Sequence, residues 1–118
     1  MTYEMNVNAD AFGVIKAGKK TREYRLYDEK RRRFKIGDII TFHNLTDSTD
    51  TVSVEITDLF IYKDWRSCYE EFFDQDLSDY YENIDQALLD TYENWWSKEK
   101  EEKYGCLIIE MRLCVKPF

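Results

Sequence analysis

Residues 18 to 25 read Gly-Lys-Lys-Thr-Arg-Glu-Tyr-Arg, and within that run Lys20, Thr21, Glu23 and Arg25 carry the side chains able to do chemistry. Lys20 can bind phosphate as a point charge. If desolvated it can act as a base, because burial disfavours the ammonium. Arg25 has the planar fork for a phosphate or a base edge. Glu23 can pair with Arg25 or Lys20, or accept hydrogen bonds from an exocyclic amine. Thr21 offers a hydroxyl to orient a ligand, or a weak nucleophile if a base lies nearby. This set suits an oxyanion or a polar planar ligand. The plain alternative is a salt-bridged strand, with Glu23 and Arg25 paired to neighbours and Lys20 in solvent. In an extended chain Thr21, Glu23 and Arg25 share one face, and Lys20, Arg22 and Tyr24 the other. Convergence of all three charges therefore needs Lys20 at the irregular start of the strand, just after Gly18, or reaching around its end.

The formal net charge of -7 hides a strong asymmetry. Residues 16 to 35 hold ten lysines and arginines against Glu23, Asp28 and Glu29, a local +7 that leaves -14 elsewhere. Such a bipolar chain binds an anion locally while its whole field repels long polyanions. Lys30, Arg31, Arg32, Arg33 and Lys35 are candidate RNA contacts, or else a solvated loop. The expected partner is a short nucleic acid or a nucleotide, not long duplex DNA. Tyr24, Tyr27, Phe42 and Trp65 offer stacking surfaces for a base, although core packing is the commoner role. His43, the one imidazole, is either a general base or a hydrogen-bonded strand-end residue. Asp74, Gln75 and Asp76 supply a second carboxylate or cap a helix.

Other chemistries find little support. Cys68, Cys106 and Cys114 are widely spaced and form no C-x-x-C pair, so with a single histidine neither a metal nor another cofactor is implied. No phosphate-cradling loop or Ser-His-Asp set is visible. No apolar run approaches a membrane span, and Met1 to Met5 do not resemble a secretion signal. A reduced, cytoplasmic protein is expected, its cysteines acting as small apolar groups.

The elements that would position the charged run follow from patterning. Tyr3 to Val7 alternates as a first strand, and Asn8 caps a helix over Ala9 to Ala17 with Phe12 and Ile15 inward. Gly18 stands where a left-handed residue ends a helix. A strand is expected from Lys20 to Leu26, then a basic connection with a helical turn near Asp28 to Lys30. Gly37-Asp38 turns the chain into a strand over Ile39 to Asn44, and Asp47 to Asp50 reads as a polar turn. Thr51 to Ile61 is the clearest strand, with Val52, Val54 and Ile56 inward and a disturbance at Asp58. Trp65 to Phe73 reads as a helix broken by the acidic stretch Asp74 to Asp79. Ile84, Ala87, Leu88, Thr91, Tyr92, Trp95 and Trp96 mark one face of a helix running to Trp96. Lys98 to Lys103 reads as a solvated charged end. Cys106 to Val115 is a last strand, with Leu107, Ile109, Met111 and Leu113 on one face. So many strands in 118 residues bury their faces by curling into a small barrel, an α+β fold with the helices as an insertion.

Three motifs carry a resemblance. Gly18, Lys20, Glu23 and Arg25 match G-x-K-x-x-E-x-R, Ile36-Gly37-Asp38 matches a hydrophobic-Gly-Asp turn into a strand, and Tyr104-Gly105 opens the last strand. In this order and spacing the chain resembles the ASCH domain family over nearly its whole length. The resemblance implies a single ASCH domain over residues 1–118, with a PUA-like mixed β-barrel, flanking helices and a helical insertion before the last strand. It also implies a cleft holding the motif residues Lys20, Glu23 and Arg25, beside which Thr21 lies in sequence, that binds RNA or a nucleotide-like ligand. Members differ in activity: some are transcriptional coactivator modules, some cleave RNA, and small bacterial members hydrolyse the amide of acetylcytidine. In that hydrolase group a threonine, the proposed nucleophile, stands where this chain has Glu23, which counts against that reaction here. If the protein is a hydrolase of acylated nucleosides or RNA, Lys20 and Glu23 carry the reaction. A regulatory protein-interaction module is the remaining alternative.

Overall fold

The structure, a computed structural model, describes residues 1–114. Its fold is α+β. Strands β1 (Thr2–Val7), β2 (Arg22–Leu26), β3 (Ile39–Asn44), β4 (Asp47–Tyr62) and β5 (Cys106–Leu113) form one mixed sheet in the order β1-β3-β4-β5-β2. That order leaves β1 and β2 as the two ends of a half-barrel sheet. Helix α1 (Ala9–Lys16) follows β1. Helices α2 (Trp65–Phe72), α3 (Ile84–Asn94) and α4 (Lys98–Tyr104) precede β5. No helix among the described residues is long and apolar enough to cross a membrane. The chain packs as two compact units.

The first unit comprises Met1–Glu23, Phe34–Leu59 and the described residues from Ile109. Asn8 caps α1 by accepting the Ala11 N–H at 2.8 Å, and Phe12 and Ile15, one turn apart, are buried. β1 runs parallel to β3, with Met5 opposite Phe42, and β3 runs antiparallel to β4, with Ile40 opposite Val54. These alternate residues, with Ile56, Ile109 and Met111, form the core of the unit, and Val52 is half-buried. The polar turn expected at Asp47 to Asp50 is instead the start of β4. Asn44 pairs with Asp47, so the hairpin closes over Leu45 and Thr46, the two-residue loop that twisted strands favour. Polar residues at an exposed hairpin end had imitated a turn. β4 also continues past Asp58 to Tyr62, although its burial alternation fades after Ile56.

The second unit comprises Tyr24–Arg33 and Phe60–Ile108. Its core gathers Leu26, Trp65, Cys68, Tyr69, Phe72, Ala87, Leu88, Cys106 and Ile108. Burial pushes the Cys68 and Cys106 thiols well above their ordinary range, so both behave as apolar groups. Asp64 and Asn83 cap α2 and α3 through the N–H groups of Ser67 and Gln86. The acidic stretch does not break α2 outright. It continues as a π-helical turn over Phe73–Leu77. α3 stops at Asn94, which takes Trp95 off the inward stripe and leaves it 59% exposed, whereas Trp96 stacks on Trp65 at 4.7 Å.

Two further expectations change in this unit. Lys98 to Lys103 is not a solvated end but helix α4, capped by Ser97, and its Glu101 is buried. The helical turn expected at Asp28 to Lys30 lies at Arg31–Arg33 as a 3-10 turn, because Asp28 accepts the Arg31 N–H at 3.1 Å. Consecutive burial of Cys106, Leu107 and Ile108 marks β5 as covered on both faces. At its other end Leu113, expected inward, is 36% exposed. Val115, expected to end that strand, lies outside the described residues.

Candidate functional site

The site begins where α1 ends. Gly18 has φ +75°, a left-handed conformation that turns the chain out of the helix. Residues 19 to 21 then run irregularly before β2 begins at Arg22. Lys20 is therefore not bound by the strand's alternation. Its Nζ donates to Glu23 Oε1 at 3.2 Å, with the lysine side chain 31% exposed and the carboxylate 7%. A buried carboxylate needs a charged or hydrogen-bonded partner to be tolerated, and here a half-exposed ammonium supplies one. On the alternate position, Arg22 Nη1 meets Glu110 Oε2 at 3.1 Å.

Lys20 and Thr21 line a pocket of about 230 Å³ together with Ile15, Val54, Met111 and Arg112. The Thr21 carbonyl accepts the Met111 N–H at 2.9 Å, which fixes the backbone at the wall. Arg112 donates to Glu55 Oε1 at 3.0 Å. The lining is mostly apolar, with Lys20, Thr21 and Arg112 as its polar residues. A mostly apolar pocket with a few polar residues is the kind of surface that can take one anionic or planar polar group. Glu23 holds Lys20 without lining the pocket. Arg112 was missed in the sequence, since nothing in the pattern of the last strand distinguishes it from any solvent-facing arginine.

The second unit holds the remaining motif residue, Arg25, half-buried on β2. Beside it Tyr24 donates to Asp76 Oδ2 at 2.5 Å, tying the π-helical turn to the strand. Asp74 is exposed, and its carbonyl accepts from Ser78 Oγ. The basic run is sorted by its neighbours. Arg31 Nη1 meets Asp28 Oδ2 at 2.6 Å. The Arg32 guanidinium lies 4.3 Å over the Tyr27 ring and donates to the Tyr104 carbonyl at 3.2 Å. Arg33 Nε donates to the Lys30 carbonyl, and Lys30 is exposed. Lys35 belongs to the first unit, where its side chain is exposed and its N–H donates to Asp38.

Of the other candidates, Phe42 and Trp65 are fully buried core residues. His43 Nε2 is 3.0 Å from Glu4 Oε1 and Nδ1 is 3.3 Å from the Ser48 carbonyl, and the bond to Glu4 raises its pKa above the ordinary imidazole value. No group of three or more His, Cys, Asp or Glu side chains among the described residues could hold a metal ion.

A mixed sheet with an inserted helical block before its last strand, and a G-x-K-x-x-E-x-R run leaving the first helix, define a PUA-like module. The ASCH domain family matches residues 5–114, and the chain belongs to that family. Among solved structures, the hypothetical protein PH0355 is 32% identical with a TM-score of 0.80, the match covering 97% of this chain and all of that one. Protein PF0455 from Pyrococcus furiosus is 30% identical with a TM-score of 0.74, covering 98% of this chain and all of that one. An ASCH protein from Zymomonas mobilis shares the fold at 13% identity and a TM-score of 0.53, over 92% of this chain and 65% of that one. No curated protein matches the chain. The family is one generally associated with RNA binding.

Proposed function

We propose that the chain acts as one ASCH domain binding single-stranded RNA or a nucleotide-like small molecule through Lys20, Thr21, Glu23 and Arg25, with the basic run as an additional contact. The observation that supports this is Lys20, a residue of the pocket lining whose ammonium is held by a buried carboxylate 3.2 Å away. Glu23 fixes the cation's direction, so an incoming phosphate or base edge meets an oriented donor. At about 230 Å³ the pocket is smaller than the roughly 300–1,000 Å³ of drug-sized sites. It accommodates one group of a nucleotide, a base or a phosphate, and leaves the rest outside. Binding of this kind needs only charge and shape, whereas hydrolysis also needs a nucleophile or activated water held about 3 Å from a base.

The test is a fluorescence-anisotropy titration of a short single-stranded RNA, with nucleoside monophosphates as competitors. Thr21→Val keeps shape, removes the hydroxyl and leaves the ion pair alone, so several-fold weaker binding is expected. Lys20→Met should lose about 10-fold or more, the scale of a hydrogen bond to a charged group. Its thermal midpoint must be measured alongside, because Glu23 loses a partner in that variant. Titrations of both variants that superimpose on the wild type would remove the pocket from the binding site. Turnover of an acylated nucleoside or of RNA by the wild type, lost in Lys20→Met, would replace binding by hydrolysis.

A further inference from the structure

We infer that Tyr27 and Arg32 form a platform on which one unpaired base of single-stranded RNA stacks. This rests on the RNA-binding reading above and names the group that the second unit would recognise. A solvated basic loop leaves its arginines mobile, and this one does not. The Arg32 guanidinium lies 4.3 Å over the Tyr27 ring while Nη2 donates to the Tyr104 carbonyl at 3.2 Å. Ring and carbonyl hold the guanidinium from two directions. Tyr27 is fixed in turn, since its N–H donates to the Gly105 carbonyl at 3.0 Å. Asp28 holds the 3-10 turn, accepting the Arg31 N–H on its side chain and the Arg32 N–H on its carbonyl at 2.9 Å.

Asp28 also changes what the run presents. Its carboxylate meets Arg31 at 2.6 Å, so that charge is offset within the turn. Arg32 is exposed, so its guanidinium is within reach of a ligand. The residue whose carbonyl receives Arg32, Tyr104, also carries the Lys103 ammonium 5.2 Å over its ring, which packs against the core. The Tyr27–Arg32 pair therefore presents one pre-ordered planar cation. Unpaired bases stack on aromatic rings and on arginine planes, and ordering those planes beforehand removes part of the entropic cost of binding. An acidic peptide would need the charge but not the plane. A base inside a duplex offers no free face.

The experiment uses the full chain and a single-stranded RNA of about eight nucleotides carrying one central 2-aminopurine, whose fluorescence is quenched on stacking. Wild-type protein should quench it, and a fully paired duplex of the same sequence should bind more weakly. Arg32→Lys keeps the charge and removes the plane. It should weaken binding about 10-fold and abolish most of the quenching, on the scale of one stacked base. Tyr27→Leu should do the same, and Tyr27→Phe, which keeps the ring, should not. If Arg32→Lys binds and quenches like the wild type, the patch acts through charge alone and the stacking inference is overturned while RNA binding stands. Competition by a polyglutamate peptide as effective as that of unlabelled RNA would also overturn it. If the wild type binds no RNA at all, the RNA-binding reading falls and takes this inference with it.

Discussion

Replacing Glu101 tests the part of the molecule that its charge pattern disguises. Glu101 sits on α4 in a run of lysines and glutamates, yet it is only 7% exposed. Its Oε2 accepts the Trp65 N–H at 2.8 Å, and both its oxygens accept from the Tyr92 hydroxyl at 2.8 and 2.9 Å. Trp65 is the first residue of α2, so this carboxylate satisfies one of the N–H groups a helix start leaves open, beside the Asp64 cap. Glu101→Ala strands two donors. A hydrogen bond to a charged group contributes about 1.5–3 kcal/mol, and a buried donor left unmade loses the full amount. Trp65 is wholly buried, whereas Tyr92 is half-buried and can turn toward water. The expected loss is therefore about 3–4 kcal/mol, a large part of the roughly 5–15 kcal/mol that holds a domain of this size. Glu101→Gln keeps one acceptor and should cost about 1–2 kcal/mol. Tyr92→Phe should cost about 1 kcal/mol, and combined with Glu101→Ala it should cost less than the two separately, because they share one interaction. Urea unfolding measures these values as shifts in midpoint at constant slope. A Glu101→Ala variant within about 0.5 kcal/mol of the wild type would mean that the carboxylate is solvated, and the reasoning would be wrong.

Gly105 has φ +73°, and a Cβ there would stand 2.8 Å from the Tyr62 carbonyl oxygen, so Gly105→Ala should cost at least about 2 kcal/mol in the same urea assay through strain and backbone displacement. His43 titrates above its ordinary value because Glu4 binds it, so its stabilising contribution is complete below about pH 6.5 and is lost as pH rises through the raised folded value. Glu4→Gln should bring the imidazole titration, followed by NMR, back toward the ordinary range, and an unmoved titration would refute the pairing.

Local signals in the sequence found most elements of the sheet. Asn8 before an amphipathic stretch, Gly18 after it and Gly37-Asp38 before Ile39 are all short-range devices, and each works where the pattern places it. What stayed hidden depended on distant partners. Glu101 looks solvated because nothing in its own helix says that the start of α2 needs an acceptor. Trp95 and Trp96 both extend the stripe of α3, and only the helix end at Asn94 separates the exposed one from the one stacked on Trp65. The charged site divides in the same way. Lys20 leaving the strict alternation was legible from Gly18, since a residue just past a left-handed turn need not follow the strand. That Glu23 is its partner at 3.2 Å, and that Arg112 joins the pocket, required the fold.

The same sorting of charges decides how RNA binding should depend on salt. The local +7 of residues 16 to 35 overstates the cations open to a polyanion. Lys16 is paired with Asp50, Lys20 with Glu23, Arg22 with Glu110 and Arg31 with Asp28. Each pair must be broken or shared before its cation can meet a phosphate, and the remaining -14 opposes the approach of a long strand. Only a few phosphates are then neutralised. For single strands each contributes about -0.7 to the slope of log affinity against log salt, so a slope of about -1 to -2 is expected. Neutralising the exposed Lys30 should flatten it for every sequence alike. A wild-type slope near -5 or steeper would mean that most of the ten cations reach phosphate, and that the ion pairs do not hold against RNA.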